Sequence, residues 1–309
     1  MSKRFDTIIF LGNIYNISTW PACIFARLLG KRTIFWGHGY VARERGLKRL
    51  ARNCFYSLPH AHIVYHPRSK GLLVENGFSA DNIYVVFNSL DYDNQLSMRK
   101  SINQGAINVM RKKLFPHSDA PILMFIGRLT NQKKLDLMLR AGASLNENGC
   151  EVNLLFVGDG QDRKNLEQLA TTIGMDEHVC FFGACYDEAE IADLVASSDI
   201  CISPGEVGLT AIHSFSFGTP VITHSNFDQQ MPEYSVIKSS VTGAFFQEGD
   251  VDDLVRVIRK WIESGRDRQA IREECFREID KYWNPYYQEK VFRAAIEGSQ
   301  PIYDGDYSC

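Results

Sequence analysis

Two cations follow an apolar run in the segment PILMFIGRLTNQKKL, and their spacing is suited to binding a diphosphate. Arg128 and Lys133 come after this run, which is typical of a buried strand. An arginine can bind a phosphate through two parallel hydrogen bonds, and a lysine adds a compact positive charge. The spacing alone gives equal support to a second interpretation, in which both residues are solvated surface cations.

The segment PGEVGLTAIHSFSFGTPVI has glycines at its entrance and a helix-ending Gly-Thr-Pro at its exit. Gly205 and Gly208 let the backbone approach a ligand closely, and the N–H groups at the start of the following short helix attract phosphate. His213 is the single ionisable residue between Gly208 and Gly218. The pattern is compatible with a phosphate-binding loop but does not establish one by itself.

Three further positions carry residue types that could do chemistry. His38 lies between two glycines in IFWGHGY, just past a predicted strand, where structural and functional roles are equally supported. Asp159, in the turn VGDG, is predicted to cap the next helix rather than to bind a ligand. Asp91 and Asp93 have the D-x-D form of a metal–nucleotide site, but their place between the two halves of the chain favours a linker turn.

These residues follow short apolar runs that alternate with amphipathic stretches, which predicts the α/β class. Ligands bind beyond the carboxyl ends of the strands in an open parallel sheet. The polar stretch 91–118 separates the halves, so we place a domain boundary near residue 117. Helix is predicted near the carboxyl end, with a break at Asn284-Pro285. The predicted strands are 7–11, 33–36, 62–65, 83–86, 122–126, 153–157, 179–182, 200–203, 220–223 and 243–246.

Composition narrows the class of protein. The 309 residues are 45% apolar and 23% charged, as in a soluble two-domain protein, and the net charge of -3 argues against nucleic-acid binding through overall basicity. None of the eight cysteines forms a CxxC pair, so we expect reduced thiols in a cytoplasmic protein and no metal site. The run TIIFLG after Lys3 and Arg4 is too interrupted for a signal peptide, and no apolar segment is long enough to span a membrane.

The motifs GRLxxxK, VGDG, VCFFG, a Gly-Leu loop and GTPVI follow one another in this order. Together they resemble the carboxyl-terminal half of retaining GT-B glycosyltransferases of family 4, which use nucleotide-sugar donors. The likeness covers 121–264. It implies two Rossmann-like domains facing across a cleft, the first of them shortened. The implied domains are an acceptor-side domain, 1–117, a donor-binding domain, 118–281, and a helix, 282–309, that packs back on the first domain.

The resemblance also implies a role for each matched residue. Arg128 and Lys133 would hold the donor diphosphate beside Gly127, and His38 would approach the transferred sugar. Two backbone segments complete the donor site. These are the nucleobase-reading turn Gly183, Ala184 and Cys185, and the loop Gly208, Leu209 and Thr210, whose N–H groups would meet the distal phosphate.

The sequence departs from the family pattern at both of its usual glutamates. Gly205 stands at the first of these positions, near the sugar, and His213 at the second, on the ribose hydroxyls. Glu206 lies one place out of register, so the sugar-binding carboxylate is either missing or supplied by Glu206 through a shifted loop. Gln229 and Gln230 replace the usual two glycines before Pro-Glu. Histidine can still exchange hydrogen bonds with ribose hydroxyls.

The predicted function is retaining transfer of a sugar from a nucleoside diphosphate to a glycan or lipid-linked saccharide, as in polysaccharide or lipopolysaccharide biosynthesis, without metal or cofactor. Two alternatives stay open: a non-catalytic glycosyltransferase-like partner, and a sugar-nucleotide epimerase on the same scaffold. The stretch 41–56 is predicted to be a helix with a basic face, Arg45, Lys48, Arg49 and Arg52, beside an apolar one. It is either an ordinary surface helix or a peripheral anchor to an anionic membrane on its cytoplasmic side.

Overall fold

The computed structural model describes residues 5–303 and 305 and has an α/β architecture. Its strands are β1 (Thr7–Leu11), β2 (Arg32–Gly37), β3 (Ala61–Val64), β4 (Ile83–Val85), β5 (Ile122–Ile126), β6 (Asn153–Val157), β7 (Val179–Gly183), β8 (Ile200–Ser203), β9 (Val221–His224) and β10 (Gly243–Phe246). Its α-helices are α1 (Thr19–Leu28), α2 (Gly46–Tyr56), α3 (Pro67–Glu75), α4 (Tyr92–Arg99), α5 (Gln104–Leu114), α6 (Leu135–Glu147), α7 (Arg163–Thr172), α8 (Glu188–Ser197), α9 (Thr210–Ser216), α10 (Val251–Glu263), α11 (Arg268–Tyr282) and α12 (Pro285–Glu297). All ten predicted strands are confirmed to within one residue at either end.

The chain forms two compact units, Met1–Asn88 with Tyr282–Cys309, and Ser89–Lys281. The division therefore falls after Asn88, whereas the sequence places it near residue 117. The difference arises because the predicted separator contains α4 and α5, which pack against α8. Their apolar stripes are short, and the one buried residue of α4 is the polar Gln95. The linker turn expected around Asp91 is instead the start of α4.

The first unit is a four-stranded parallel sheet in the order β1-β2-β3-β4. Helix α12 packs against β2, β3 and β4 of the same unit. Its Tyr287 hydroxyl donates to the Val85 carbonyl at 3.3 Å, and its Phe292 ring meets Trp36 edge-on at 5.1 Å. The break predicted before α12 is confirmed: Asn284 accepts a hydrogen bond from the Tyr287 N–H, and Pro285 begins the helix.

The second unit is a six-stranded parallel sheet in the order β10-β9-β8-β5-β6-β7. Strand β5 reads ILMFI and is buried throughout, as expected of a central parallel strand covered on both faces. One hydrophobic core joins β5 and β6 to α6, α7 and α10. The strand order reverses between β5 and β8, which is where ligands bind in sheets of this kind.

Two observations concern compartment and anchoring. The seven cysteines within the described residues are all free, and Cys309, like Lys3 and Arg4, lies outside them. Among those same residues, no helix combines the length and the apolar character needed to cross a membrane. Helix α2 begins at Gly46, so the prediction that it starts at Val41 is wrong.

Candidate functional site

A cavity of about 580 Å³ opens at the carboxyl ends of β5, β6 and β7, beside the point where the strand order reverses. Five residues predicted from the sequence line it: Gly127, Arg128, Ala184, Cys185 and His213. Its volume is ordinary for a pocket that binds a small molecule. The structure therefore gathers predicted residues from three separate segments of the chain.

The wall of the cavity is formed by two turns held side by side through their backbones. Gly127 N–H donates to the Val157 carbonyl at 2.9 Å, and Leu129 N–H donates to the Asp159 carbonyl at 3.0 Å. Gly158 has φ +143, and a Cβ there would lie 1.9 Å from the Gly127 carbonyl oxygen. Only glycine allows this approach, which explains the first glycine of the turn VGDG.

Asp159 does not cap α7, so that prediction is wrong. The helix begins at Arg163, with Asp162 at the N-cap position. The Asp159 carboxylate instead accepts the Gly160 N–H at 2.7 Å and lies 3.7 Å from the Arg163 guanidinium, on the edge of the cavity.

Arg128 is the cation that the structure places in this cavity. Its side chain is exposed, while its neighbour Leu129 is fully buried and fixes the backbone beneath it. Within the described residues, Arg128 makes no hydrogen bond and no ion pair. The guanidinium is thus available to an anionic ligand without first leaving a partner in this part of the chain.

Lys133 was predicted to bind the diphosphate together with Arg128, but in the structure its side chain points elsewhere. It is absent from the described residues that line the cavity, and its Nζ donates to the Glu206 carbonyl at 2.7 Å. Burial lowers the pKa of Lys133, and the carboxylates of Glu206 and Glu233 oppose that shift. Lys133 therefore holds the neighbouring loop.

The loop after β8 explains the missing glutamate at position 205. A Cβ on Gly205 would lie 2.2 Å from the Gln132 carbonyl oxygen and 2.9 Å from the Lys133 Cα. The Gly205 N–H also donates to the Lys133 carbonyl at 3.0 Å. No side chain fits there, and the nearest carboxylate in the loop belongs to the half-buried Glu206.

The same loop leads into α9 and is fastened from two sides. The Thr210 hydroxyl donates to the Ile126 carbonyl at 2.9 Å, which ties the start of α9 to the end of β5. The buried Gln230 side chain accepts the Val207 N–H at 3.0 Å. Gly208, at φ +49, precedes the exposed Leu209, and the first N–H groups of a helix have no partner within it.

His213 forms a pair that the sequence analysis missed. Its Nε2 lies 2.9 Å from Glu188 Oε1, and that carboxylate oxygen also accepts the Gln95 amide at 2.9 Å. The hydrogen bond to His213 lowers the pKa of Glu188, against the opposing effect of burial. Glu188 begins α8, three residues after Cys185. It could have been found from the sequence as a carboxylate that follows the end of a predicted strand. Gln95 gave no signal, because α4 itself was not predicted.

The turn after β7 supplies the third wall of the cavity. Gly158 N–H donates to the Gly183 carbonyl at 2.8 Å, which holds this turn against the turn Gly158-Asp159-Gly160, the GDG turn. Ala184 and Cys185 follow and line the cavity. The Cys185 sulfur lies 3.5 Å from Glu190 Oε2, and burial raises the pKa of its thiol.

His38 belongs to the first unit, whereas the cavity lies in the second. It follows β2 directly and is exposed. Its ring centroid lies 5.0 Å from that of Tyr65, and its carbonyl accepts the Ser69 hydroxyl at 2.5 Å. Nearby, burial lowers the pKa of His66 to about 3, so the two histidines differ in environment.

The sequence of this chain matches the family model "Glycosyl transferases group 1" over residues 106–277. That match covers more than half of the chain and contains every cavity residue described above. The chain belongs to this family. Its helix α5, in the stretch expected to be a separator, lies almost wholly within the matched range.

Two relatives illustrate the range of the group 1 glycosyltransferases that this chain resembles. An uncharacterized glycosyltransferase of Methanocaldococcus jannaschii is 25% identical over 227 residues, which is 70% of this chain and 55% of the relative. The lipopolysaccharide core biosynthesis glycosyltransferase LpsE of Rhizobium meliloti is 28% identical over 167 residues, or 54% of this chain and 47% of the relative. This chain thus matches about half the length of each.

The fold is that of the GT-B glycosyltransferases. The crystal structure of Anabaena HepE in complex with UDP aligns with a TM-score of 0.70 at 17% identity, covering 94% of this chain and 78% of HepE. At this identity the alignment establishes the fold alone. The predicted α/β class with two Rossmann-like domains is confirmed.

Proposed function

We propose that this chain is a retaining glycosyltransferase that moves a sugar from a nucleoside diphosphate to a glycan or lipid-linked saccharide, without a metal or cofactor. The observation that carries the proposal is the cavity beside β5, where Arg128, the GDG turn and the Ala184–Cys185 turn meet in a member of this family. The HepE structure that shares the fold holds UDP, and LpsE is named for lipopolysaccharide core biosynthesis. Both support this class of donor and acceptor.

The proposed chemistry centres on the departing diphosphate. Negative charge grows on this group as the glycosidic bond to the donor breaks, and positioned cations and N–H groups that meet it lower the barrier. Arg128 is free to bind the diphosphate bidentately. The first N–H groups of α9 face the same charge in this proposal, and Lys133 positions their loop by holding the Glu206 carbonyl.

The His213–Glu188 pair is assigned to the ribose. His213 lines the cavity at the position where the resemblance puts a glutamate, and Glu188 accepts a hydrogen bond from it, so a carboxylate lies next to His213. Imidazole and carboxylate together can both donate to and accept from a vicinal diol. The role of His38 on the transferred sugar rests on the family resemblance, and loss of transfer in His38→Ala with unchanged nucleotide affinity is the expected result.

The test is to incubate the chain with UDP-, GDP- and ADP-sugars and a panel of lipid-linked saccharides. Product formation is followed by mass spectrometry, and the new linkage by proton NMR. We expect one donor to be consumed and the product to keep the anomeric configuration of the donor. An inverted product contradicts retention.

The same assay separates the alternatives. Conversion of the sugar nucleotide in the absence of any acceptor identifies an epimerase. Nucleotide binding without hydrolysis or transfer identifies a non-catalytic partner. The lack of room for a carboxylate side chain at position 205 favours this alternative. A failure of every nucleoside diphosphate to bind contradicts both enzymatic functions.

We further propose that α2 contacts an anionic membrane. The apolar stripe predicted for this helix is exposed rather than packed on the core, with Leu47 84% and Leu50 60% accessible. Lys48 and Arg49 beside it are also exposed. Exposed leucines next to cations are typical of helices that lie at an anionic lipid surface.

The basic face of α2 is smaller than predicted. Arg52 is mostly buried, because its guanidinium bonds to Glu44 at 2.8 Å and lies over the Tyr40 ring. Lys48 also reaches Glu44, at 3.0 Å. The leucines are therefore the sharper target for a test.

Co-sedimentation with phosphatidylglycerol vesicles tests the membrane proposal. We expect binding that weakens with salt and is lost when Leu47 and Leu50 are both changed to serine. The matched control changes the exposed Val109 of α5, in the second unit, to serine and retains binding. Equal binding by the wild type and the double variant contradicts the proposal.

A further inference from the structure

A second cavity, of about 670 Å³, lies at the opposite end of the six-stranded sheet from the one beside β5. It adjoins the edge strand β10 at its amino end, where Ser239 and Ser240 precede the strand. The last turns of α10, which runs back along β10, supply most of the other lining residues. Neither the family match nor the resemblance gives this place a role.

The cavity is strongly positive although the chain as a whole carries a net charge of -3. Among the described residues that line it, four are cations and one, Glu263, is an anion. The four cations are Arg256, Arg259, Lys260 and Arg266. Like charges gathered in this way repel one another, and a bound anion relieves that repulsion.

Three of the four cations have no acidic partner within the described residues. Arg256 is paired with Asp253 at 2.5 Å, and the Arg266 guanidinium lies 5.1 Å from the centre of the Trp261 ring. Arg259 and Lys260 form no ion pair or hydrogen bond in this part of the chain. A cation in the last turn stabilises a helix through its dipole, but that effect falls off within one turn and does not account for Arg266, which lies beyond the helix.

The uncharged lining residues are suited to a phosphate ester. Ser239 and Ser240 add hydroxyl donors, whereas the Ser264 hydroxyl already donates to the Trp261 carbonyl at 2.6 Å. Trp261 and Phe245 are half-buried and provide an apolar wall for the organic part of a ligand. Ser240 has φ +64, a left-handed conformation in which a residue other than glycine is strained, and such strain concentrates at ligand sites.

We propose that this basic cavity binds a phosphate monoester, with Arg259 and Lys260 as its main anchors. Arginine and lysine with neighbouring hydroxyls are the usual ligands of a phosphate group. The phosphate belongs either to a soluble phosphorylated polyol or to the headgroup of a lipid. The proposal is independent of the function proposed for the cavity beside β5.

The test uses glycerol 3-phosphate as the soluble probe and phosphatidic acid vesicles as the lipid probe. Isothermal titration of the wild type is expected to give saturable binding of glycerol 3-phosphate with a Kd of about 1 mM or tighter. The double variant Arg259→Ala, Lys260→Ala is expected to bind at least tenfold more weakly.

A matched control removes two exposed cations of the same unit that lie outside both cavities, Arg140 and Lys164. The double variant Arg140→Ala, Lys164→Ala makes the same change in net charge and is expected to retain full affinity. Thermal unfolding of all variants verifies that they are folded. Equal loss of affinity in both double variants, or no saturable binding by the wild type to either probe, overturns the proposal.

The vesicle arm distinguishes the two sources of the phosphate. The vesicle comparison is made with Leu47 and Leu50 already changed to serine, so that binding through α2 is removed. Co-sedimentation of that variant with phosphatidic acid that is lost when Arg259→Ala and Lys260→Ala are added identifies a lipid headgroup. Binding of glycerol 3-phosphate without such co-sedimentation identifies a soluble ligand. Both results support a phosphate site in this cavity.

Discussion

The two ends of the six-stranded sheet carry cavities of similar size that are built in different ways. At the carboxyl end, three turns meet through backbone hydrogen bonds, and Arg128 lies among them. At the amino end, the cavity is lined by α10, by β10 and by the segments before β10 and after α10, and four of the lining side chains are cationic. One site is therefore made mainly of backbone and the other mainly of charge.

This difference determines what each site tolerates. A site made of backbone depends on glycines whose neighbours leave no room for a side chain, and it is sensitive to the smallest substitution. In a site made of surface cations, a substitution leaves the fold intact and changes only the affinity for the ligand. The predictions below test this contrast, beginning with the largest expected effect.

The first prediction concerns Gly158→Ala. Its Cβ would lie 1.9 Å from the Gly127 carbonyl oxygen, so the two turns must separate, and we expect a loss of about 3 kcal/mol or more in the free energy of unfolding. Urea denaturation measures it. The control Gly149→Ala, at φ +74 with open space around it, should cost only about 1 kcal/mol. Similar costs for the two variants would show that the turns are not closely packed.

The second prediction concerns Arg128→Ala. Because Arg128 is exposed and unpaired within the described residues, its loss should leave the unfolding free energy unchanged. Nucleoside diphosphate affinity should fall by roughly 10- to 100-fold, as expected for charge-assisted hydrogen bonds. Isothermal titration measures the affinity, and Arg259→Ala, in the other cavity, should leave it unaltered. A larger effect from Arg259→Ala would reverse the assignment of the two ends.

The third prediction concerns Gln230→Ala. Gln230 accepts the N–H of the buried Val207 and donates to the His224 carbonyl, so its removal leaves buried backbone groups unsatisfied. We expect a cost of about 2 kcal/mol in unfolding free energy and weaker nucleotide binding through a displaced loop. The adjacent, exposed Gln229→Ala should do neither. Unchanged nucleotide affinity in Gln230→Ala would show that this loop takes no part in binding.

The smallest effect is expected from pH. The hydrogen bond to His213 lowers the pKa of Glu188 below its usual value of 4.5, so the folded state favours the carboxylate. The stability this provides is present above pH 4.5 and is lost as the pH falls through the lowered pKa. Near pH 6 the unfolding free energy of the wild type should exceed that of Glu188→Gln by less than about 1 kcal/mol, and this difference should vanish in acid. A difference that grows on acidification, or one matched by the exposed Glu177→Gln, contradicts this account.

Much of the carboxyl-end site could be predicted because the order of the motifs resembles that of a known family, and the glycines within those motifs report backbone geometry. The turns at Gly127 and Gly158 are required by local packing, and their motifs are visible in the chain. The position of Lys133 was not predictable, because a charged residue after a strand can contact a ligand or a carbonyl equally well. Glu188 and Gln95 come from distant segments, and only the fold brings them to His213.

The amino-end cavity could not be predicted at all. Three of its four cations lie at ordinary positions of the amphipathic helix α10, and the basic, aromatic lining forms only when the helix packs beside β10. The same holds for helix α2. The spacing of its apolar residues predicted an apolar stripe but not that Leu47 and Leu50 would be exposed. Periodicity specifies which residues share a face, whereas the tertiary structure decides what covers that face.

The most direct test of the central claim is a crystal structure of the chain with a bound nucleoside diphosphate. We predict that the diphosphate lies within hydrogen-bonding distance of the Arg128 guanidinium, with the base against Ala184 and Cys185 and the ribose against His213. A nucleotide bound elsewhere in the molecule, with this cavity empty, would contradict the account.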